Sequence, residues 1–215
     1  MAETAPDEIL DQILSYVLCM PQGQFERWRT PKTFTSNQSS NIIGILPTCS
    51  RWYRIGIPLL YGTVILRTRK EVLAFAEAVS KPNKDGLMLG QYLRRLRMEA
   101  SYCAEFNDVL YACSNIAELF LAFDLSTEDQ LGGLASALQS INPSRLMLDS
   151  LLPELLPEPT SIIRPFYEAV SDSAAQWTRL VSLETLHNLP SQGYLAHTLI
   201  ATETSRSKPL GGVSR

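Results

Sequence analysis

The residue types that most often do chemistry in proteins are sparse in this chain and lie far apart. Its 215 residues include two histidines, His187 and His197, and four cysteines. Neither histidine lies at metal-ligand spacing from a cysteine, and no Cys-x-x-Cys pair is present, so no zinc site is predicted. The patterns GxSxG, HExxH and GxxxxGK[ST] are absent as well. We therefore expect a protein that is not an enzyme, with no catalytic residue, metal or cofactor.

Two weaker chemical signals have simpler interpretations. Gly132 and Gly133 lie inside a helical pattern over Asp129–Ile141, which predicts a helix and not a phosphate-binding loop. Asp149 and Glu154 are near enough in sequence to form a carboxylate pair. Carboxylates are usually solvated, so we expect exposed surface at both positions.

Composition narrows the classes of partner. The chain is 45% hydrophobic with a net charge of −3, which is typical of an ordinary soluble protein and argues against nucleic acid. No apolar stretch is long enough to cross a bilayer, and the acidic start lacks a secretory signal. The cysteines are widely spaced in apolar surroundings, which indicates a reducing compartment. We expect a cytoplasmic or nuclear protein with no nucleic-acid or membrane partner.

The most specific stretch is an amphipathic segment, Pro6–Leu18. Pro6 suits a first helical turn, and the acidic residues after it favour the positive end of the helix dipole. Two adjacent apolar stripes follow, one with Ile9, Ile13 and Val17 and one with Leu10, Leu14 and Leu18. Two interpretations stay open: both stripes are core, or one of them faces a partner.

A second apolar segment, Leu46–Tyr61, follows a polar insert. Residues 49–55 alternate aromatic and basic side chains around Trp52, which predicts a short helix that Pro58 stops. Thr63–Leu66 is β-branched and predicts a strand.

Together these segments resemble the F-box motif, most closely as it occurs in mushroom-forming fungi. The resemblance rests on Pro6–Leu10, on Gln12–Leu14 and on Leu46-x-x-Cys49-x-x-Trp52. It covers about the first third of the chain, with Ala5 before Pro6 and a longer insert than usual. It implies three helices that bind a Skp adaptor and, through it, a cullin scaffold, with these adaptor-binding residues: Pro6, Ile9, Leu10, Ile13, Leu14, Val17, Leu46, Cys49 and Trp52.

The rest of the chain alternates strand and helix patterns. Strand-like runs at Tyr92–Met98, Ile116–Leu121, Ser144–Asp149 and Leu183–Leu189 are separated by helical patterns at 106–113, 129–141 and 163–180. The units recur every 23–40 residues, and two of them fit a Leu-x-x-Leu-x-Leu template. This predicts a short, irregular leucine-rich-repeat solenoid, which also follows the motif in many fungal F-box proteins. A generic α/β layer is the alternative.

The predicted fold is therefore mixed α/β, with an N-terminal three-helix F-box and a solenoid after it. Its predicted parts are 5–62, with a loop-like insert at 20–41; a linking strand and helix at 63–86; the repeats at 87–190; and a disordered tail at 191–215. Aromatic residues in the insert, such as Phe25 and Trp28, are expected to pin it to its own domain. The proline-rich Ser150–Thr160 is expected to be a surface insertion.

Two functions stay open at this point. The first is the substrate receptor of a Skp–cullin–F-box ubiquitin ligase, with an unknown protein substrate bound by the repeats. The second is a repeat scaffold without ligase activity, or a truncated protein that titrates the adaptor. The uncapped end of the repeats favours truncation.

Overall fold

The computed structural model describes residues 5–26, 46, 49–100, 102–122, 125, 128–149 and 162–185. Within these ranges the fold is mixed α/β, with a five-stranded parallel sheet. The elements in chain order are α1 (Asp7–Leu18), α2 (Gln22–Glu26), α3 (Ser50–Tyr61), β1 (Thr63–Leu66), α4 (Arg69–Ser80), a 3-10 turn (Leu89–Tyr92), β2 (Arg95–Met98), α5 (Ala104–Ala112), β3 (Glu118–Ala122), α6 (Leu134–Gln139), β4 (Arg145–Asp149), α7 (Ile163–Gln176) and β5 (Ser182–Thr185).

The strands lie side by side in chain order, so each strand pairs with the next one in sequence. Their registers align in continuous rows. One row consists of Thr63, Arg95, Glu118, Arg145 and Ser182, and the next of Val64, Leu96, Leu119, Leu146 and Leu183. Because successive side chains of a strand point to opposite faces, these two rows face opposite sides of the sheet.

A repeated backbone contact locks each unit to the one before it. The carbonyl oxygen of Gly62 accepts hydrogen bonds from two successive N–H groups at the start of β2, and the carbonyl of Arg94 does the same for β3. Ala117 and Ser144 repeat the contact for β4 and β5. Every unit thus meets its neighbour in the same way, which keeps the strands in register.

The main hydrophobic core lies between the sheet and a layer of helices, α4 to α7. Leu96, Leu119 and Leu146 are fully buried against this layer, whose contributions include Val72, Phe106 and Trp177. The core continues into the N-terminal helices through Leu46 and Ile57. Leu46 and Ile57 therefore belong to the same core as the buried leucines of the strands.

The opposite face of the sheet carries a second, separate cluster of buried apolar side chains. Phe120, Ala122 and Met147 project from β3 and β4, and Phe25 of α2 packs on them. The first part of the insert thus differs from the prediction: 22–26 is a short helix that lies against the sheet. Phe25 is fully buried, but it packs on β3 and β4 and not on the N-terminal part 5–62, so the expectation that it pins the insert to its own domain is wrong.

Two further predictions are corrected. Pro58 does not stop α3, which runs on to Tyr61; since Pro58 lies in the last turn, its missing N–H removes one intrahelical bond and leaves the rest. The helix predicted over 129–141 begins only at Leu134, because Gly133 has a φ of 82°. That left-handed conformation breaks an α-helix and suits glycine. The strand and helix predicted at 63–86 are present as β1 and α4, and β1 pairs with β2 in the sheet.

The sequence-predicted helices and strands otherwise correspond to elements of the structure. Helices at 6–18, 71–79, 106–113 and 163–180 and strands at 63–66, 92–98, 116–121 and 144–149 all have counterparts, with boundaries that differ by a few residues. Within the part of the chain that the structure describes, no helix is long and apolar enough to cross a membrane. Residues Trp28, Glu154, His187 and His197, the Ser150–Thr160 insertion and the 191–215 tail lie outside the described residues.

The central row of leucines generates a stability prediction. Leu119→Ala should lower the free energy of unfolding by about 2–5 kcal/mol, since truncating a fully buried leucine removes apolar contacts and leaves a cavity. Urea unfolding followed by circular dichroism measures the change. Leu73→Ala is the matched control, because Leu73 lies on α4 with 41% of its surface exposed and should change stability by only about 0.5 kcal/mol. Equal effects of the two variants would contradict the placement of the core.

Candidate protein-interaction surfaces

The N-terminal surface is built on the contact between α1 and α3. Leu10 and Leu14 of α1 are buried, and Leu14 and Leu18 approach Gly56 of α3. A side-chain carbon at Gly56 would lie 2.3 Å from Leu46 Cδ2, so only glycine allows this close approach without a shift of Leu46. Leu46 therefore packs directly on Gly56, next to Leu14 and Leu18 of α1.

An ion-pair cluster fixes the start of α1 to α3. The Asp7 carboxylate lies 2.6 Å from Arg51 Nε and 2.6 Å from Arg54 Nη2. Arg51 also donates a hydrogen bond to the carbonyl of Ala5. Hydrogen bonds from Arg54 and Arg51 hold the pKa of the Asp7 carboxyl below its ordinary value. The acidic residue expected to favour the helix dipole thus also orients α1 against α3.

The two apolar stripes of α1 have different environments. Ile9 and Ile13 are 45% and 48% exposed, and Tyr16 beside them is 92% exposed, whereas Leu14 is only 1% exposed. We call Ile9, Ile13 and Tyr16 the α1 ridge. Exposed apolar patches on a folded protein often mark protein-interaction sites. The two apolar stripes of α1 are therefore not both core: Leu10 and Leu14 are buried, whereas Ile9 and Ile13 are accessible.

The residues predicted to bind an adaptor are therefore distributed over three environments. Pro6, Ile9, Ile13 and Cys49 are exposed, Val17 and Trp52 are partly buried, and Leu10, Leu14 and Leu46 belong to the core. The Trp52 indole N–H is buried and has no hydrogen-bond acceptor among the described residues. Tyr16, which the sequence analysis did not select, joins the exposed set because it follows Ile13 by three residues on the same helix face.

The second surface is the face of the sheet that points away from α4–α7, which we call the polar sheet face. Its first row alternates in charge, with Glu118 between Arg95 and Arg145. Arg145 binds Glu184 through two hydrogen bonds of 2.8 and 2.6 Å, and its Nη1 lies 2.5 Å from Glu26 of α2. Hydrogen bonds from Arg145 hold the pKa values of Glu26 and Glu184 below the ordinary range.

The next row of the polar sheet face contains a buried cation. Arg97 is 1% exposed, contacts Glu99 at 2.5 Å and lies over the Phe120 ring, 4.0 Å from its centroid. Its Nη1 donates a hydrogen bond to the carbonyl of Phe25. Burial lowers the pKa of Arg97, and the charges of Glu99 and Asp149 oppose that lowering. Asp149, expected on solvated surface, is buried on the same face of the sheet. That expectation for Asp149 is wrong, because a parallel sheet is covered on both faces.

The segment Met20–Glu26 lies on this face through a small set of contacts, and we call it the docked segment. Arg95 donates hydrogen bonds to the Met20 carbonyl at 2.6 Å and to Gln22 Oε1 at 2.7 Å. The Arg95 guanidinium also lies 5.3 Å from the centroid of the Phe25 ring. Arg95, Arg97 and Arg145 were not among the residues predicted from the sequence. For Arg95 and Arg145 a usable signal existed, because a charged residue stands at the same position of three successive strands.

The thiols of the described core are poor nucleophiles. Burial raises the pKa of the Cys113 thiol to about 12 and also raises that of Cys103. Both therefore stay protonated near neutral pH, and the thiolate is the reactive form. Among the described residues, no three His, Cys, Asp or Glu side chains are arranged to hold a metal ion.

Comparison with protein-family models, with curated proteins and with solved structures found no match to this chain.

The Asp7 cluster predicts a pH dependence. Because the folded-state pKa of Asp7 is below its ordinary value of 3.8, the ion pairs stabilise the fold above that pH and are lost as the pH falls through the lowered value. The stability difference between the wild type and Asp7→Asn should therefore be present at pH 7 and shrink as the pH falls below 3.8. Carboxyl NMR titration checks the midpoint directly.

The partners of Asp7 provide the matched variants. Arg54→Ala and Arg51→Ala should each raise the pKa of Asp7 toward its ordinary value, since each removes a hydrogen bond to the charged form. Lys81→Ala, a change of exposed charge at the end of α4, should leave the Asp7 midpoint where it is. A normal Asp7 midpoint in the wild type would contradict the cluster.

Proposed function

We propose that this chain is the substrate-receptor subunit of a Skp–cullin–F-box ubiquitin ligase, which binds the Skp adaptor through its N-terminal helices and a target protein through the strand–helix array. The single observation that carries the proposal is the division of α1. Leu10 and Leu14 hold the helix in the core, while Ile9 and Ile13 remain about half exposed. A helix that needed only its own core would bury both stripes.

The position of the ridge agrees with the resemblance to the F-box motif. Pro6, Ile9 and Ile13 belong to the first stretch that resembles the motif, and Cys49 and Trp52 to the last. In sequence, 31 residues separate the end of α1 from the start of α3. The packing of α1 against α3 nevertheless brings the two stretches into one helical unit. The adaptor would contact the exposed members, with Trp52 at their edge.

The order of the strands supports a leucine-rich-repeat-like array as the target-binding part. Successive parallel strands start at Thr63, Arg95, Glu118, Arg145 and Ser182. Each of them pairs with the next in aligned register. The leading template positions Leu93 and Ile116 are buried, as a repeat would require. A doubly wound α/β sheet would instead reverse its strand order and place helices on both faces.

In this role the protein would carry out no bond chemistry itself. The cullin scaffold would hold a charged ubiquitin-conjugating enzyme, and the receptor would hold the target next to it. The gain in rate would come from proximity, because the two reactants are kept in one assembly. Rigid packing between α3, β1 and the core would fix the distance between the adaptor and the target.

The deciding experiment is reconstitution from purified components. The chain should co-elute with a Skp adaptor in size-exclusion chromatography and, with a cullin scaffold added, form a ternary complex. A chain that is folded but binds neither would favour the non-ligase repeat scaffold. A chain that binds the adaptor but recruits no target to ubiquitination would favour the adaptor-titrating role.

The α1 ridge gives the sharpest variant. Ile13→Asp should weaken adaptor binding by about 2 kcal/mol or more, roughly 30-fold in Kd, because the interface would bury an unpaired carboxylate. Isothermal titration calorimetry with the purified adaptor measures the affinity. The melting temperature should be almost unchanged, since Ile13 is half exposed in the free protein.

Two controls separate binding from folding. Leu73→Asp places the same charge on a comparably exposed apolar residue of α4 and should leave adaptor affinity intact. Leu14→Asp should instead unfold the N-terminal helices, as its side chain is buried beside α3. Undiminished adaptor binding by Ile13→Asp would show that this stripe is not the adaptor contact.

A further inference from the structure

We propose that the polar sheet face is a binding site for short peptides, that it recognises an amide followed three residues later by an aromatic ring and a carboxylate, and that the docked segment occupies it as an internal ligand. The inference rests on the proposed function only in assigning the sheet face to a target. It follows from how the docked segment is held and from what its departure would expose.

The contacts of the docked segment define the chemistry of the ligand. Gln22, Phe25 and Glu26 are spaced i, i+3 and i+4, so one turn of helix presents all three to the sheet. Gln22 accepts a hydrogen bond from Arg95 at 2.7 Å and donates one to Glu118 at 3.0 Å. It also donates to Glu26 at 2.7 Å, which ties the two polar ends of the turn together.

The aromatic ring and the carboxylate have separate receptor groups. Phe25 is fully buried in the apolar cluster formed by Phe120, Ala122 and Met147, with the Arg95 guanidinium on its ring. Glu26 meets Arg145, a cation that Glu184 already orients. Arg97 donates a hydrogen bond to the Phe25 carbonyl, a group that any peptide carries. The receptor groups thus specify a pattern of residue types and not a single sequence.

The attachment of the docked segment is separable from the main core. Phe25 is the buried residue of α2, and its cluster is distinct from the one between the sheet and α4–α7. A five-residue helix is unstable alone in water, so α2 depends on the sheet for its structure. Release of the segment would uncover Phe120, Ala122 and Met147 while leaving the helix-side core closed. Such small units open at a lower free energy than the whole fold.

Because the docked segment already occupies the polar sheet face, it would regulate the binding of any other peptide there. A tethered segment competes at an effective concentration of about millimolar, so a target peptide must either bind more tightly or arrive when the segment is displaced. A target that carries the same amide, aromatic and acidic pattern would replace the docked segment contact for contact. Weakly binding peptides would then be excluded from the polar sheet face, and peptides that carry the matching pattern would bind.

The test uses the intact chain and a labelled peptide with the sequence of residues 20–26. Fluorescence polarisation should show that the peptide binds Phe25→Ala at least about tenfold more tightly than wild type, because the variant no longer fills its own site. The same peptide with its phenylalanine replaced by alanine should not bind. Tyr111→Ala, an exposed aromatic truncation on α5, is the matched control and should behave as wild type.

The receptor side is tested in the same assay. Adding Arg145→Gln to Phe25→Ala should abolish the gain, whereas adding Arg164→Gln, at an exposed i, i+4 ion pair of α7, should preserve it. Equal affinity for wild type and a folded Phe25→Ala, or no binding up to millimolar peptide, would overturn the proposal. The assay contains no adaptor, so this failure is distinguishable from failure of the adaptor-binding function.

Hydrogen exchange of the wild type keeps the proposal testable if Phe25→Ala does not fold. The amides of Gln24 and Phe25 donate to the Pro21 carbonyl and report on the docked segment. They should exchange at least about a hundredfold faster than the amides of β3, since the segment opens alone. Exchange of both sets at the same rate would show that the segment opens only with the whole fold, and would overturn the proposal.

Discussion

A parallel sheet needs cover on both of its faces, and this requirement shapes most of the described structure. Parallel strands are joined by crossover connections, and here those connections place α4, α5, α6 and α7 over one face. Among the described residues that follow β1, no helix packs on the other face of the sheet. The docked segment from before the first strand takes that place, at least over β3 and β4, where Phe25 packs on Phe120 and Met147.

The polar side chains follow from the same requirement. Arg97 and Asp149 lie on strands whose two faces are covered, so their charges are removed from water at a cost of several kcal/mol unless they are paired. Arg97 has Glu99, the Phe120 ring and the Phe25 carbonyl around it. Arg145 is likewise held by Glu184 and Glu26. The same arginines pair with Glu99 and Glu184 and contact the segment that covers the face. The stability of the fold and the proposed peptide binding therefore depend on the same side chains.

The α1 ridge and the polar sheet face differ in whether their apolar side chains are accessible. At α1 an apolar stripe remains accessible although the helix is firmly attached through Leu14 and the Asp7 cluster. On the polar sheet face an apolar cluster is already filled by the chain itself. An accessible stripe suits a constitutive partner such as an adaptor, whereas a filled site suits a conditional one such as a target. The proposed receptor function would use both kinds of surface, the accessible one for the adaptor and the filled one for the target.

The sequence by itself determined the local elements and the existence of a second apolar stripe on α1, because both depend on spacing along one helix or strand. It also predicted that the strand–helix units recur, whereas the packing of Phe25 on β3 and β4 was decided by the tertiary structure. Only the tertiary structure decided which stripe is exposed, since Ile13 and Leu14 differ in what packs against them and not in type. It likewise decided that Arg97 and Asp149 are buried and that Glu26 meets Arg145 across 119 residues of sequence. Alternation predicts which side of a strand a residue is on, but burial of the polar side depends on a segment far away in the chain.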